Sequence, residues 1–138
     1  ILCAVLVYQR MRWQALALVL GLGVGQALLW GMKWFFSRPR PGQQLLDALG
    51  QSFPSGHSFS ATVFYMFLVV LLWYVCKGAA IRLAGTLFLL FVIIAVAVSR
   101  LLLSVHWVSD VLGGIVIGLA WLLTSLLLAR GWALYRRW

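Results

Sequence analysis

Long apolar runs alternate with short polar segments along this chain. The runs that are long enough to cross a bilayer as helices cover roughly residues 13–36, 55–75, 80–103 and 107–128. A membrane-spanning helix needs about 20 mostly apolar residues, so the pattern predicts an all-α fold, a polytopic membrane helical bundle with four full spans. Residues 1–8 are apolar as well and indicate the remnant of an earlier span. We therefore expect residues 1–138 to be a single membrane-embedded domain that is truncated at its N-terminus.

Proline and serine lie where these apolar runs begin or end, and glycines lie within two of them. Pro39 and Pro41 stop the first run, and Pro54-Ser55 resembles the start of a helix. Gly21, Gly23 and Gly25 in the first run predict a close helix contact within the membrane. Gly113, Gly114 and Gly118 lie near the start of the fourth run.

The composition supports a membrane protein and argues against a nucleic-acid-binding one. The chain is 64% hydrophobic and 9% charged, and 11 Lys and Arg against 2 Asp and Glu give a net charge of +9. A soluble domain with this excess of cations would suggest nucleic acid. Here the cations are grouped between apolar runs, which is the pattern of membrane topology and lipid headgroup contacts. We expect the bilayer, and no nucleic acid, as a partner.

One side of the bundle carries the cations that the positive-inside rule explains. Segments 9–12, 77–82 and 130–138 lie on the same side and hold Arg10, Arg12, Lys77, Arg82, Arg130, Arg136 and Arg137. The positive-inside rule assigns that side to the cytoplasm. Tail residues Trp132, Tyr135 and Trp138 are typical of an interfacial aromatic belt.

The opposite side of the bundle carries the histidines, the acidic residues and the cations that the positive-inside rule does not explain. Both histidines, His57 and His106, and both acids, Asp47 and Asp110, fall there. So do four cations that the positive-inside rule does not explain, which are Lys33, Arg38, Arg40 and Arg100. A convergent anion site is the simplest reason for cations on this side; Asp47 is interpreted as a solvated loop acid.

His106 and Asp110 are four residues apart, so on a helix both side chains share one face. A carboxylate next to an imidazole can fix its tautomer and stabilise its cationic form. Arg100 nearby is suited to holding an anion by two parallel hydrogen bonds. Taken alone, the same residues also fit a capping or interface histidine and an acid favoured by the helix dipole.

Three segments on this face resemble the signature of the type 2 phosphatidic acid phosphatase superfamily. They are Lys33-x6-Arg40-Pro41, then Pro54-Ser55-Gly56-His57, and finally Ser99-Arg100-x5-His106-x3-Asp110. All three match without a substitution and in the right order. Membrane members of that family usually have six spans, so this chain resembles one without its first span and most of its second.

The resemblance implies a role for each matching position. His106 would be the nucleophile that forms a phosphohistidine, Asp110 would orient it, and His57 would be the general acid. The phosphoryl oxygens would be bound by Lys33, Arg40, Ser55, the backbone N–H of Gly56, and Arg100. Arg38 lies outside the fixed positions and is interpreted as a contact to a headgroup or diphosphate.

The expected function is that of an enzyme, a lipid phosphatase that needs no metal and no other cofactor. Its partner would be a lipid phosphate or diphosphate at the exoplasmic membrane surface, with undecaprenyl diphosphate as the first choice. Phosphatidic acid or phosphatidylglycerol phosphate, and transfer of phosphate to another acceptor, remain alternatives. The resemblance favours the bacterial cytoplasmic membrane with the site facing the periplasm or exterior, and the oligomeric state stays open.

Other functions fit only part of this pattern. His57, His106 and Asp110 could bind a metal ion, but Lys33, Arg40 and Arg100 would repel it. Vanadate-dependent haloperoxidases share the motifs but are soluble, and nothing indicates the sugar pocket of a glucose 6-phosphatase. A non-catalytic lipid-binding protein or transporter fragment would require the charged groups to be purely structural.

Overall fold

The computed structural model describes residues 1–42, 45 and 48–135, and within them all regular structure is helical. Five helices follow one another along the chain: α1 (Leu2–Tyr8), α2 (Arg12–Phe36), α3 (Gly56–Val75), α4 (Ala79–Leu102) and α5 (Val108–Tyr135). Several residues with a predicted role lie outside the described part; they are Asp47, Arg136, Arg137 and Trp138.

Helices α2 to α5 are each long and apolar enough to cross a membrane, which confirms the predicted all-α, four-span fold. The apolar N-terminal residues form the short helix α1, beside the start of α2. Helix α5 runs beyond the predicted end at residue 128 and has 28 residues. Its last turns contain no proline to stop them, and at about 1.5 Å per residue the helix is longer than a hydrocarbon core of about 30 Å.

Helix α3 lies at the centre of the bundle, packed against α4 on one side and α5 on the other, while α2 packs on α5. Small residues let α3 and α5 approach closely. A Cβ added to Gly114 would lie 2.6 Å from the Ser55 carbonyl oxygen, and one added to Gly118 would lie 3.1 Å from that of Phe59.

Helix α2 contains a π-helical segment, Val19–Val24, that the sequence pattern did not predict. The indole nitrogen of Trp121 on α5 donates to the carbonyl oxygens of Leu20 (3.1 Å) and Gly21 (3.2 Å). In a bilayer, backbone carbonyls released from regular α-helical bonding need another donor. Trp121 supplies that donor, so a tertiary contact stabilises the altered helix geometry.

Two serines end α2 and begin α3 at the same end of the bundle. Ser37 adopts a left-handed conformation with φ of 42°, and its hydroxyl donates to the carbonyl of Trp34 at 2.7 Å. Ser55 is the N-cap of α3, and its hydroxyl accepts from the backbone N–H of Ser58 at 3.4 Å. The segment between these serines lies next to the connection from α4 to α5 and holds much of the polar chemistry.

Gly114→Ala is expected to destabilise the protein by about 1–3 kcal/mol, the usual range for overpacking. The new methyl group would press on backbone atoms of α3, which cannot rotate away. Thermal unfolding in detergent measures the change.

The matched control is Gly131→Ala on the same helix, because an added Cβ there meets nothing within 4 Å. Its thermal midpoint should stay the same or rise slightly, since alanine is the better helix former. Equal midpoints for the two variants would contradict the close packing of α3 on α5.

Candidate active site

Asp110 joins the three polar segments. Its side chain is 0% exposed, and Oδ1 accepts a hydrogen bond from the Arg38 guanidinium at 2.8 Å. Oδ2 accepts from the backbone N–H of Trp107 at 2.9 Å, and the Asp110 carbonyl accepts from the backbone N–H of Ser55, also at 2.9 Å. The residue is therefore bonded to the segment after α2, to the start of α3 and to the start of its own helix.

His106 lies beside this carboxylate with its two ring nitrogens in different surroundings. Nδ1 is 3.5 Å from Asp110 Oδ2, which is a long contact, and it has no hydrogen-bond partner among the described residues. Nε2 is 3.4 Å from the Arg40 guanidinium, and the ring lines a cavity. The imidazole thus directs one nitrogen towards the buried acid and the other towards the cationic wall of the cavity.

The surroundings of His106 favour the neutral imidazole. Burial, and then the positive charges of Arg40 and Lys33, lower the pKa of His106 below its ordinary value, and the carboxylate of Asp110 only partly opposes them. A neutral ring at pH 7 has a lone pair on the nitrogen that carries no hydrogen. His106 is therefore suited to nucleophilic attack without first losing a proton.

Backbone carbonyls hold the two cations next to His106. The Arg40 guanidinium donates to Val105 (2.8 Å), Gly50 (3.0 Å) and Leu49 (3.1 Å). The Lys33 ammonium donates to the carbonyl of Gln51 at 2.7 Å. Both cations are fixed by the loop that leads into α3, so their charges occupy set positions before any anion arrives.

The cavity has a volume of about 710 Å³ and two chemically different parts. Lys33, Arg40, His57 and His106 form its polar end. The remainder follows α2 and α3 away from that end and is lined mainly by hydrocarbon and aromatic groups, among them Leu22, Leu29, Trp30, Ala61, Phe64, Tyr65 and, from α4, Val96. This shape fits an amphiphile with an anionic head.

The site residues suggested by the sequence fall into three positions. On the cavity wall are Lys33, Arg40, Gly56, His57 and His106. Ser55 and Asp110 are fully buried and are not on that wall. Arg100 is also absent from the wall; its Nε donates to Ser99 Oγ at 3.1 Å, and its positive charge acts on His57 from outside the cavity.

Arg38, interpreted from the sequence as a headgroup contact, forms a pair with Asp110 that the sequence analysis did not predict. Its guanidinium is committed to Asp110 and to Ser109 Oγ, at 2.8 and 2.6 Å, and it lies 5.7 Å from the centre of the Trp107 ring. The sequence did contain a signal for this pair. It has only 2 acidic residues, and one of them, Asp110, lies next to an apolar run, where a buried carboxylate needs a cation beside it. The sequence could not show which of several nearby cations it would be.

The sequence analysis also did not predict a hydrogen bond between two side chains inside the cavity. Gln26 Nε2 on α2 donates to Ser60 Oγ on α3 at 2.7 Å, and both residues line the wall. The signal was a polar amide within the apolar run of α2, where polar residues are costly and usually functional.

Arg38→Gln is expected to lower the free energy of unfolding by about 1–3 kcal/mol. Breaking a buried ion pair usually costs about 3–5 kcal/mol; the expected loss is smaller because the Arg38 side chain is 38% exposed. Thermal unfolding of the purified protein measures the loss.

The double variant Arg38→Gln with Asp110→Asn should recover most of this stability, since it no longer buries an unpaired charge. Arg12→Gln, an exposed arginine at the other end of α2, is the control and should change little. A double variant no more stable than the single one would argue against the ion pair as the cause.

Comparison with known proteins identifies relatives of this arrangement. Residues 12–133 match the model of the PAP2 superfamily. The chain is 35% identical over 119 residues to phosphatidylglycerophosphatase B of Bacillus subtilis (strain 168), an alignment that covers 81% of this chain and 56% of that protein. It is 31% identical over 134 residues to the Escherichia coli (strain K12) protein named "Putative undecaprenyl-diphosphatase YbjG", covering 91% of this chain and 63% of that one.

A solved structure agrees with these matches. The fold resembles the crystal structure of a transmembrane PAP2 type phosphatidylglycerolphosphate phosphatase from Bacillus subtilis, with a TM-score of 0.70 and 30% sequence identity, over 94% of this chain and 64% of the other. The chain thus spans less than two thirds of the length of each of these relatives. Matched over most of its residues, it is an integral membrane protein that belongs to the PAP2 superfamily.

Proposed function

We propose that this protein is an enzyme that removes phosphate from a membrane lipid phosphate or diphosphate. The observation that carries the proposal is the meeting of His106, His57, Lys33 and Arg40 at one end of a cavity whose other end is apolar. Both named relatives act on lipid phosphates according to their names, one on phosphatidylglycerophosphate and one on undecaprenyl diphosphate. Either class of lipid would present a phosphate next to hydrocarbon, as the cavity requires.

In the proposed reaction, His106 Nε2 attacks phosphorus and forms an N–P bond while the bond from phosphorus to the leaving oxygen breaks. His57 gives its proton to that oxygen, which leaves as the lipid alcohol, or as the lipid monophosphate if the substrate is a diphosphate. Water then attacks phosphorus, His57 takes its proton, the N–P bond breaks and inorganic phosphate departs. Two histidines suit this division of roles because imidazole titrates near neutral pH.

Fixed positive charge supplies the remaining catalysis. Phosphoryl transfer depends chiefly on in-line positioning and on stabilising the equatorial oxygens. Lys33 and Arg40 are held beside His106 by loop carbonyls. The N-terminus of α3, which begins at Gly56, adds backbone N–H groups and a positive dipole end. Arg100 reinforces the positive potential around His57.

Asp110 would keep the His106 ring oriented, with Nδ1 facing the carboxylate and Nε2 facing the substrate. Arg38 holds that carboxylate from its other side. The proposed reaction needs no metal ion, since its cations occupy the position where a Lewis acid would act. Within the part of the chain that the structure describes, the His, Cys, Asp and Glu side chains do not gather into a group of three that could hold a metal.

The charge distribution supports an outward-facing site. Arg10, Arg12, Lys77 and Arg82 lie at the end of the bundle opposite the cavity's polar end. By the positive-inside rule that end faces the cytoplasm. We therefore propose that the phosphate group is bound at the exoplasmic surface, which in a bacterial cytoplasmic membrane faces the periplasm or exterior.

His106→Ala should abolish phosphate release, with a loss of at least about 10³-fold, because no other group replaces the nucleophile. The measurement is release of inorganic phosphate from phosphatidic acid, phosphatidylglycerol phosphate and a polyprenyl diphosphate by the purified protein in detergent. Rapid quenching of the wild type with phosphorus-labelled substrate should trap protein-bound label that is stable in base and labile in acid.

Two controls accompany this test. Wild-type activity should persist in excess chelator, and complete loss there would refute the metal-free mechanism. The variant should keep the wild-type thermal midpoint within a few degrees. Unchanged turnover by His106→Ala would instead favour a non-enzymatic membrane protein.

Arg40→Gln should move the acid limb of the pH profile of kcat/KM to higher pH. Arg40 is one of the charges that lower the pKa of His106, so its removal raises that pKa, and a higher pH is then needed to keep the nucleophile unprotonated. The variant should also lose about 10²-fold in kcat/KM through weaker phosphate binding. Arg12→Gln serves as the control, and an acid limb that stays in place in Arg40→Gln would contradict the electrostatic link.

A further inference from the structure

Two polar side chains face each other in the apolar part of the cavity. Gln26 on α2 donates to Ser60 on α3 at 2.7 Å, and both residues are only partly buried. They line the same cavity as Lys33 and His57. Their hydrogen bond connects the two helices that form the walls of the cavity next to its cationic end.

Helix geometry gives their depth relative to the site of reaction. Gln26 precedes Lys33 by seven residues, which is about 10 Å along the axis of α2, and Ser60 lies three residues after His57, about 4.5 Å along α3. Both steps lead from the cationic end towards the interior of the bilayer. The pair therefore lies next to the first part of a lipid beyond its phosphate.

The mutual bond leaves hydrogen-bonding capacity on both side chains. An amide has a carbonyl oxygen and two N–H groups, and a serine hydroxyl has a proton to donate. Within the described residues, the bond between them is the only side-chain hydrogen bond that either residue makes. A hydrocarbon chain against these atoms would leave them unpaired in an apolar setting, at a cost of about 1–3 kcal/mol per group.

Lipid phosphates differ in the chemical group attached to the phosphate. A diacylglycerol phosphate carries ester carbonyl oxygens within a few bonds of phosphorus, and these oxygens accept hydrogen bonds. A polyprenyl diphosphate carries a second phosphate directly beyond the one that is attacked and only hydrocarbon after that, so it has no ester carbonyl. Of the two, the diacylglycerol phosphate is the one that offers ester carbonyls to the free donors of Gln26 and Ser60.

We propose that Gln26 and Ser60 form a subsite for the ester group of a glycerolipid, and that this pair makes the enzyme prefer diacylglycerol phosphates. The inference rests on the proposed lipid phosphatase activity and narrows its substrate. It departs from the polyprenyl diphosphate that the sequence resemblance favoured, because that lipid has no ester carbonyl for the polar pair to bind.

The pair could also act only as a bond between α2 and α3, as polar side chains do in membrane bundles. In that role its loss would weaken activity on every substrate equally. A subsite predicts instead a change that depends on whether the substrate carries the ester carbonyls. The test must therefore compare substrates that differ in that group alone.

The experiment compares dioleoyl phosphatidic acid with its diether analogue, which keeps the phosphate, the glycerol and both chains but lacks the carbonyls. Initial rates of phosphate release in mixed micelles give kcat/KM for the wild type, Gln26→Met and Ser60→Ala. The wild type should prefer the diester by about 3- to 10-fold, the worth of one or two hydrogen bonds. Each variant should lose most of that preference, with its diether activity and its hydrolysis of farnesyl diphosphate within about twofold of wild type.

Ser125→Ala is the matched control, because this buried hydroxyl donates to the carbonyl of Trp121 on its own helix and does not line the cavity. It should keep the full diester preference. Equal wild-type rates on diester and diether would overturn the subsite, as would variants that keep the wild-type ratio. A wild type that releases phosphate from none of the three lipids would refute the proposed function itself.

Discussion

The burial of a single carboxylate organises the polar end of this bundle. Asp110 is completely removed from solvent at the start of a membrane-spanning helix, where an uncompensated charge would be strongly destabilising. It is compensated by Arg38 and by the backbone N–H of Trp107, the His106 ring lies beside it, and its own carbonyl accepts from Ser55. Arg38 comes from the segment after α2, His106 and Trp107 from the connection between α4 and α5, and Ser55 from the start of α3. Satisfying the carboxylate therefore requires the three segments to meet, and their meeting forms the polar end of the cavity.

The cations near His106 act in two ways that support each other. Because they are fixed by the carbonyls of Leu49, Gly50, Gln51 and Val105, they cannot be neutralised by moving to a distant acid. Their positive field favours an anion in the cavity, and the same field lowers the pKa of His106, which keeps its ring neutral. A cavity that favours anions and a neutral His106 ring are thus consequences of one arrangement of charge.

Helix α3 connects this chemistry to the membrane. Its first turn carries Gly56 and His57 at the polar end, and its next turns present Ser60, Ala61 and Phe64 to the apolar part of the cavity. Close packing against Gly114 and Gly118 of α5 holds the helix in place. A small shift of α3 would therefore change both the position of His57 and the width of the cavity, which couples the shape of the apolar part of the cavity to the geometry of its polar end.

The sequence by itself determined the four membrane-spanning helices, because their apolar runs have the length that a bilayer requires. It also determined that the histidines and the unexplained cations share one end, since alternate connections of antiparallel spans fall on the same side. Only the tertiary structure decided that Arg38 rather than Arg100 pairs with Asp110, that Arg100 lies off the cavity wall, and that Trp121 supports a π-helical segment in α2. These outcomes depend on how far helices are rotated about their axes and on where loops fold back. Hydrophobic periodicity does not specify either one, because several rotations bury similar amounts of apolar surface in lipid.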